Sequence, residues 1–460
     1  MARILILIGG HLCTAPRPQK EATALTAAGH EVKVAGLWFD ETLAQRDRAL
    51  LAHQAWTFDP VVDFRPGQAS RFGVRLQAKT ARKLYQGLGL HHPALLGYGA
   101  PRLLQVAQAH RADLTIVHSE AGLWVGQQLL KQGYAVGVDF EDWFSQDLLP
   151  AAHHQRPIQW IAELEAVLLQ HCRYRLTTSQ AMASAMAKHY QVTPPTVVYN
   201  VFPKSAPPSN SSSLETFPAQ TSDPFPENPP EASPAPHPAR RTGEAVRLHW
   251  FSQTIGPGRG LELLFAALSQ LTVSVEVHLR GHCSPQNQSW LAQHIPLGWA
   301  NQVHIHPTVP NDELPARIAE NDIGLALEQP SPPSRNLTIT NKLFQYLQAG
   351  LAVIATDTAG QREVFQQFPD IGHLVEAQDV TALAAAIEAL VCHPAQLRAA
   401  QAAARQAAET QFCWELESQT LVAAAEMALS EVPDGGQCPP YSAIENPNDR
   451  RFHLSLSNQP

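Results

Sequence analysis

Short apolar runs alternate with amphipathic segments along the chain. The first run, residues 3–8, is followed by Gly9 and Gly10, then by helical spacing over residues 18–28 and a second apolar run at 31–35. A strand, a glycine-containing loop, a helix and another strand form a βαβ unit, whose strands lie parallel in one sheet. The pattern therefore predicts an α/β protein built on parallel sheets.

The same alternation starts again at residue 246, after a segment of a different kind. Residues 203–243 hold 11 of the 37 prolines of the chain, with many Ser, Asn and Glu residues. Such a segment buries too little apolar surface to order itself. We therefore expect a first domain over residues 1–202, a disordered linker or insertion over 203–243, a second domain over 244–429 and a loose tail over 430–460.

Composition excludes several classes of protein. The formal net charge is −8, which argues against a nucleic-acid partner. The six cysteines are scattered, as expected in a reducing compartment, and the 21 histidines show no spacing typical of a metal site. The N-terminal apolar run is too short for a secretory signal, and no run approaches a membrane span. A soluble, cytoplasmic protein without a metal is predicted.

The most informative stretch runs from Glu328 to Glu363. An apolar strand at 323–327 leads into it, a helix is expected at 340–349, and a second strand follows at 352–356. Thr338 or Thr340 is expected to cap the helix, and Gly350 suits the left-handed residue after it. A helix start at the carboxyl edge of a parallel sheet presents free N–H groups that suit a phosphate.

The sequence NKLFQYLQAGLAVIATDTAGQREV in this stretch resembles the donor-nucleotide signature of retaining glycosyltransferases of family 4. The resemblance implies the GT-B fold, in which two Rossmann-like domains face each other across a cleft. The N-terminal domain would take the acceptor, and the C-terminal domain would bind the nucleotide-sugar. The two glutamates of the family's E-x7-E pair are replaced by Leu337 and Gln345, and the second of them holds the ribose in the family.

The loop SQTIGPGRG resembles the family motif whose Arg and Lys hold the donor pyrophosphate. Arg259 takes the lysine position and Gln253 the arginine position; a Gly/Pro turn with a surface arginine is the alternative. The resemblance implies a donor-binding set of eight residues: Gly9, Gly10, Gln253, Gly258, Gly260, Asn341, Gln345 and Glu363. For Gly9 and Gly10, a tight turn without a ligand is the other interpretation.

Polar residues also follow two apolar runs of the first domain. His118 ends the run at 112–117 and matches a family histidine that lies near the transferred sugar. With Arg259 and Lys342 it forms the expected catalytic set. Carboxylates can bind sugar hydroxyls, and an indole can stack on the face of a sugar ring. The family resemblance implies that His11 faces the cleft between the domains. The expected acceptor or sugar contacts are His11, Asp139, Glu141, Asp142 and Trp143, although an acidic loop patch with a helix cap explains the carboxylates equally well.

A helical segment around Ala78 is basic. Its cations are Arg71, Arg75, Lys79, Arg82 and Lys83. A solvated helix face accounts for such a run. The functional alternatives are attraction of an anionic acceptor, such as a lipid-linked phosphate sugar, or peripheral contact with a membrane surface.

The resemblance implies transfer of a hexose, with retention, from a UDP-, GDP- or ADP-sugar to a hydroxyl acceptor that is a sugar, a lipid-linked molecule or a small molecule. Such a transferase would act in polysaccharide, glycolipid or glycoconjugate synthesis, with no cofactor beyond this co-substrate. Charge on the leaving diphosphate would be stabilised by Arg259, Lys342 and the helix start, without a metal. Two alternatives remain: a non-catalytic relative that binds nucleotide-sugar, which the loss at Leu337 and Gln345 favours, and a nucleotide-sugar epimerase.

Overall fold

A computed structural model of the chain describes residues 1–65, 70–148, 156–204, 245–311 and 313–430. The predicted linker and the predicted tail fall almost entirely outside these described residues. Everything that follows concerns the described ranges.

The first half of the chain forms a sheet of seven parallel strands in the order β3-β2-β1-β4-β5-β6-β7. Apolar runs become its central strands, and the β4 and β5 side chains are buried throughout. The strands are β1 (Arg3–Leu7), β2 (Glu31–Trp38), β3 (Thr57–Asp63), β4 (Leu114–Val117), β5 (Val136–Phe140), β6 (Tyr174–Thr177) and β7 (Thr196–Val197). This is the doubly wound arrangement that places binding residues beyond the carboxyl ends of the strands.

Helices connect these strands and cover the two faces of the sheet. They are α1 (Pro16–Ala27), α2 (Glu41–Leu51), α3 (Ser70–Leu88), α4 (Ala100–His110), α5 (Ser119–Lys131), α6 (Ile158–His171) and α7 (Gln180–Tyr190). The weak apolar pattern after residue 57 did not reveal β3, a strand at the sheet edge with only one fully buried residue.

The second half forms a separate sheet of six parallel strands in the order β10-β9-β8-β11-β12-β13. Its strands are β8 (Val246–Thr254), β9 (Val275–His282), β10 (Val303–His306), β11 (Ile323–Ala326), β12 (Ala352–Thr356) and β13 (Gly372–Val375). Its helices are α8 (Leu261–Leu268), α9 (Pro285–His294), α10 (Leu314–Ile318), α11 (Pro333–Leu337), α12 (Asn341–Ala349), α13 (Ala359–Gln367), α14 (Val380–Cys392) and α15 (Pro394–Thr410).

The last described helix, α16 (Trp414–Ser430), returns to the first sheet, as predicted. Its Glu417 Oε2 accepts a hydrogen bond of 2.7 Å from the Tyr199 backbone N–H. The Trp414 N–H donates to the Phe202 carbonyl at 3.0 Å. The first domain is therefore completed by the end of the chain.

No single helix among the described residues is long and apolar enough to cross a membrane. The helices α14 and α15 reach the required length and composition only together, and they are bent by 101° at their junction.

Candidate active site between the two sheets

The carboxyl edges of the two sheets meet through α11, which follows β11. The Trp143 N–H, beyond the end of β5, donates to Ser334 Oγ of α11 at 3.1 Å. Ser179 Oγ, beyond the end of β6, donates to the Leu337 carbonyl at 2.6 Å. Leu337 stands at the first glutamate position of the E-x7-E motif. Through its backbone carbonyl it links the second domain to the first.

Glu363, a predicted donor-binding residue, also joins the domains. The expected loop around Gly360 is part of α13, and the Glu363 carboxylate accepts hydrogen bonds from the N–H groups of Gln180 and Ala181, at 3.2 and 3.0 Å. It therefore caps the start of α7 in the other domain. Burial raises the pKa of Glu363 to about 7.

His118 lies at the end of β4 with both ring nitrogens occupied. Nε2 is 2.8 Å from Glu21 Oε2, and Nδ1 is 2.9 Å from Glu141 Oε1. Burial by itself would lower the pKa of His118, but the charges of Glu21 and Glu141 outweigh it and raise that pKa to about 10. The ring is therefore a cation at neutral pH. His118 is only 3 % exposed, whereas the Glu141 side chain is 33 % exposed. Of these two paired residues, Glu141 is therefore the one that solvent or a ligand can reach.

Asp139, a predicted acceptor or sugar contact, is directed into the protein interior. It is fully buried, and its Oδ2 accepts a 2.6 Å hydrogen bond from Arg17 Nε. One ligand atom each of Glu21, His118 and Asp139 lies within 4.8 Å of the others, as in a metal site. Arg17 already balances the charge of Asp139, and the His118 cation balances that of Glu21, so protein groups supply the positive charge that a metal would bring.

His11 and Trp143, two further predicted contacts of the first domain, are also buried. His11 Nδ1 lies 3.0 Å from Asp47 Oδ2, and its Nε2 accepts from the Phe39 N–H at 2.7 Å. The Trp143 indole is 5 % exposed and donates to the Tyr190 hydroxyl at 3.2 Å. Both rings are therefore packed inside, and neither is available to a sugar face.

The two glycines after β1 differ in what surrounds them. A Cβ on Gly9 would lie 2.7 Å from Ser119 Oγ, so only glycine lets this loop approach the turn after β4. Ser119 has a φ of 67°, in the left-handed region. Around Gly10 a Cβ would meet nothing within 4 Å, so this backbone is open.

The segment of residues 252–260, called the donor loop here, comprises the end of β8 and the turn after it, at the facing edge of the second sheet. Arg259 is exposed, and its Nη1 donates to Ser252 Oγ at 3.1 Å. The Gly258 N–H donates to Glu262 Oε1 at 2.6 Å. Gly260 has a φ of 82°, and a Cβ there would lie 2.2 Å from the Leu327 carbonyl oxygen, so glycine is required. Gln253 is exposed beside this turn.

Lys342, in the first turn of α12, is paired with a carboxylate that sequence reasoning missed. Its Nζ forms an ion pair with Glu328, which comes just after β11, and lies 5.9 Å from the centre of the Trp250 ring. Burial tends to raise the pKa of Glu328, but Lys342 more than offsets this, and the pKa lies below its usual range. Much of the Lys342 charge is therefore already balanced.

The start of α12 is open to a ligand. Thr340 is at the N-cap position but makes no side-chain capping bond, contrary to the expectation, and Gly350 ends the helix with a φ of 69°, as expected. Asn341 is exposed, and the side chain of half-buried Gln345 makes no hydrogen bond to any described residue. Asn341 and Gln345 lie four residues apart and so share a helix face.

Arg335 is a second missed residue. It lies on α11, between the sheets, and is exposed. Burial, Asp147 and Glu141 raise the pKa of Asp142 to about 7, and the charge of Arg335 opposes this shift. The charge of Arg335 also lowers the pKa of Glu328. It is therefore a cation shared between carboxylates of both domains.

Two parallel Rossmann-like sheets with facing carboxyl edges and a returning C-terminal helix define a GT-B fold. The solved structures that resemble it include sucrose-phosphate synthase from Thermosynechococcus elongatus, with 15% identity, TM-score 0.64, and coverage of 94% of this chain and 100% of that one. HepE of Anabaena in complex with UDP has 17% identity, TM-score 0.62 and coverage of 93% and 100%. WaaG, a glycosyltransferase involved in lipopolysaccharide biosynthesis, has 14% identity, TM-score 0.54 and coverage of 92% and 99%.

Comparison of the sequence with family models also identifies glycosyltransferase domains. Residues 20–203 match the model described as Glycosyltransferase Family 4, and residues 248–393 match that described as Glycosyl transferases group 1. The search of curated proteins found no match. The first half of the chain therefore holds a family 4 glycosyltransferase domain, and the second half holds a glycosyltransferase group 1 domain.

Proposed function

We propose that this protein transfers a hexose from a UDP-sugar to a hydroxyl acceptor, with retention of the anomeric configuration. The observation that carries the proposal is the facing edge of the second sheet, where exposed Arg259 and the uncapped start of α12 are both available to a diphosphate. The solved relative HepE binds UDP and UDP-glucose, which supports uridine as the base.

The chemistry follows from the charges at this edge. As the glycosidic bond to the donor breaks, negative charge develops on the diphosphate, and preorganised donors stabilise it. Arg259 and the first N–H groups of α12 take this role in the proposal, with Gln345 as the ribose contact. Glu141, held by the His118 cation, contacts hydroxyls of the sugar or acceptor from the first domain. These protein groups supply the required charge without a metal.

The proposal is tested by incubating the purified protein with UDP-, GDP- and ADP-sugars and acceptor extracts, with and without EDTA. We expect thermal stabilisation and nucleotide release with one UDP-sugar, unchanged by EDTA. Stabilisation without release would favour the second candidate, a non-catalytic relative, since the glutamate pair is absent and Lys342 is paired with Glu328. Neither stabilisation nor release with any donor would contradict both.

Gln345→Glu is expected to keep or strengthen nucleotide binding, by up to about fivefold. A carboxylate accepts stronger hydrogen bonds from ribose hydroxyls than an amide does, by about 1 kcal/mol. Calorimetry with UDP measures the change. Gln348→Glu on the same helix is the control, because Gln348 lies one turn nearer the end of α12 and its side chain already donates to the Pro203 carbonyl, so the change should leave the affinity unchanged. A large loss in Gln345→Glu alone would mean that Gln345 faces a different group.

We further propose that α3 docks the protein on an anionic lipid surface. Its buried side packs on the domain through Ala78 and Ala81. Leu76 is 66 % exposed, and Lys79 and Lys83, three and seven positions after it, are exposed on the same face of the helix. An exposed leucine next to cations fits a lipid surface, which takes up both.

The variant Lys79→Glu/Lys83→Glu is expected to lose at least tenfold in binding to phosphatidylserine-containing vesicles, since each cation contributes about 1 kcal/mol. Co-sedimentation measures the binding, and pure phosphatidylcholine vesicles set the background. Lys131→Glu, on exposed α5 surface, is the matched charge control. The membrane proposal is contradicted if the unaltered protein, the double variant and Lys131→Glu bind the vesicles equally, or if the unaltered protein does not bind. The basic side of α3 would then be a solvent-exposed helix face without a ligand.

A further inference from the structure

A row of three histidines crosses three neighbouring strands of the second sheet. The strand register pairs His249 of β8 with His278 of β9, and His278 with His304 of β10. Partners in parallel register project from the same face of a sheet. These three residues, the histidine row, therefore stand side by side, with His304 on the edge strand. The donor loop and α12 contain none of them.

Ligand atoms converge at the outer part of the histidine row. Glu276 lies two residues before His278 and so projects from the same face. One ligand atom from each of Glu276, His278 and His304 lies within 4.8 Å of the other two. His278 Nε2 is 3.4 Å from Glu276 Oε2. The edge of a tetrahedron with zinc–ligand bonds of about 2.0 Å is about 3.3 Å, so little movement is needed.

His306, two residues after His304 on β10, orients the ring of His278. His278 Nδ1 lies 3.0 Å from His306 Nε2, so one hydrogen is shared between them. When His278 Nδ1 carries that hydrogen, its Nε2 keeps a lone pair on the side of Glu276. This is the tautomer that a metal-binding histidine needs.

The buried end of the histidine row gives a second, independent observation. His249 is 1 % exposed, and neither of its ring nitrogens has a hydrogen-bond partner among the described residues. Its ring packs against Tyr346 at 5.9 Å. Buried polar atoms normally find a partner. The ring centres of His278 and His304 lie 4.9 Å apart, and the Glu276 carboxylate beside them adds lone pairs without hydrogens, which favours a cation.

We propose that Glu276, His278 and His304 bind one divalent transition-metal ion of the zinc class, with His306 positioning the ring of His278. Two imidazoles and one carboxylate suit Zn²⁺, Ni²⁺ or Cu²⁺ better than Mg²⁺ or Ca²⁺, which prefer oxygen ligands. All three ligands are half-buried, so an ion can enter from solvent. The ion fastens edge strand β10 to β9 and stabilises the second domain.

The test is a titration of the tag-free, EDTA-treated full chain with Zn²⁺ against a chromophoric chelator. We expect one tightly bound ion per chain, at least tenfold weaker binding in His304→Gln and in Glu276→Gln, and about tenfold weaker binding in His306→Gln. His393→Gln is the control, because His393 is exposed and its Nδ1 is engaged with the Ala389 carbonyl. It should bind zinc as the unaltered chain does.

Thermal melting gives a readout that does not depend on catalysis. Zinc is expected to raise the melting temperature of the unaltered chain and of His393→Gln, but not that of His304→Gln or Glu276→Gln, since only a bound ion shifts unfolding. Absence of stoichiometric binding, or equal binding by both ligand variants and the unaltered chain, would overturn the site. UDP affinity should not change with zinc, which keeps this result separate from the proposed transferase function.

Discussion

Arg17→Met is expected to lower the free energy of unfolding by about 3–5 kcal/mol, the usual cost of leaving one member of a buried ion pair alone. Arg17 is 1 % exposed and bridges the fully buried Asp139 and the Val198 carbonyl, with Nη1 2.7 Å from that oxygen. Methionine fills similar space but brings no charge and no donor. Denaturant unfolding followed by circular dichroism measures the loss.

A surface pair provides the matched control for this change. Arg3 and Asp113 approach to 3.9 Å with both side chains about half exposed, so Arg3→Met should cost less than about 1 kcal/mol. The double variant Arg17→Met/Asp139→Leu should recover part of the loss, because it removes the stranded carboxylate. If Arg17→Met and Arg3→Met lower the free energy of unfolding equally, the buried ion pair stabilises this fold no more than the surface pair does.

Arg259→Ala is expected to weaken binding of UDP by about 10- to 150-fold, equal to about 1.5–3 kcal/mol for a hydrogen bond to a charged group. The guanidinium of Arg259 is exposed and contacts only the Ser252 hydroxyl among the described residues, so it is available to a diphosphate. Lys342 is already paired with Glu328, which leaves more of the diphosphate charge to Arg259. Calorimetry with UDP measures the effect.

Arg317→Ala is the comparison for Arg259→Ala. Arg317 is an exposed arginine of the same domain, paired with Glu320 at 2.6 Å away from the donor loop. Its removal should leave UDP affinity and melting temperature nearly unchanged. An Arg259→Ala protein that binds UDP as well as Arg317→Ala does would exclude Arg259 from the phosphate site.

The fold was accessible from the sequence because its signals are local. The apolar run at 352–356 became β12 with the same bounds, Gly350 ended α12 in the left-handed conformation, and Asp379 capped α14 through the Ala382 N–H. Each of these depends on residues a few positions apart. β3 was missed because an exposed edge strand has no continuous apolar run to reveal it.

The candidate site was less accessible, because its contacts join residues far apart in sequence. Asp139 and His118 were correctly placed at strand ends, but their partners Arg17 and Glu21 lie on α1, 122 and 97 positions away. Spacing cannot show that such a partner has already occupied a side chain. The same limit applies to Glu363, whose partners on α7 lie more than 180 positions away. A sequence identifies polar residues at a sheet edge; the structure shows which of them remain available.

The return of α16 to the first sheet sets an order for making the protein. A chain emerging from the ribosome has all strands of the first sheet by residue 197, yet the helix that packs against α1 and β6 is complete only at Ser430. Until then the Tyr199 N–H lacks the Glu417 carboxylate, and the apolar surface around Tyr199 lacks its cover. The first domain therefore stays incompletely packed until the whole second half of the chain has been synthesised. A stop codon early in α16 would destabilise the first domain, although that domain is encoded upstream of it.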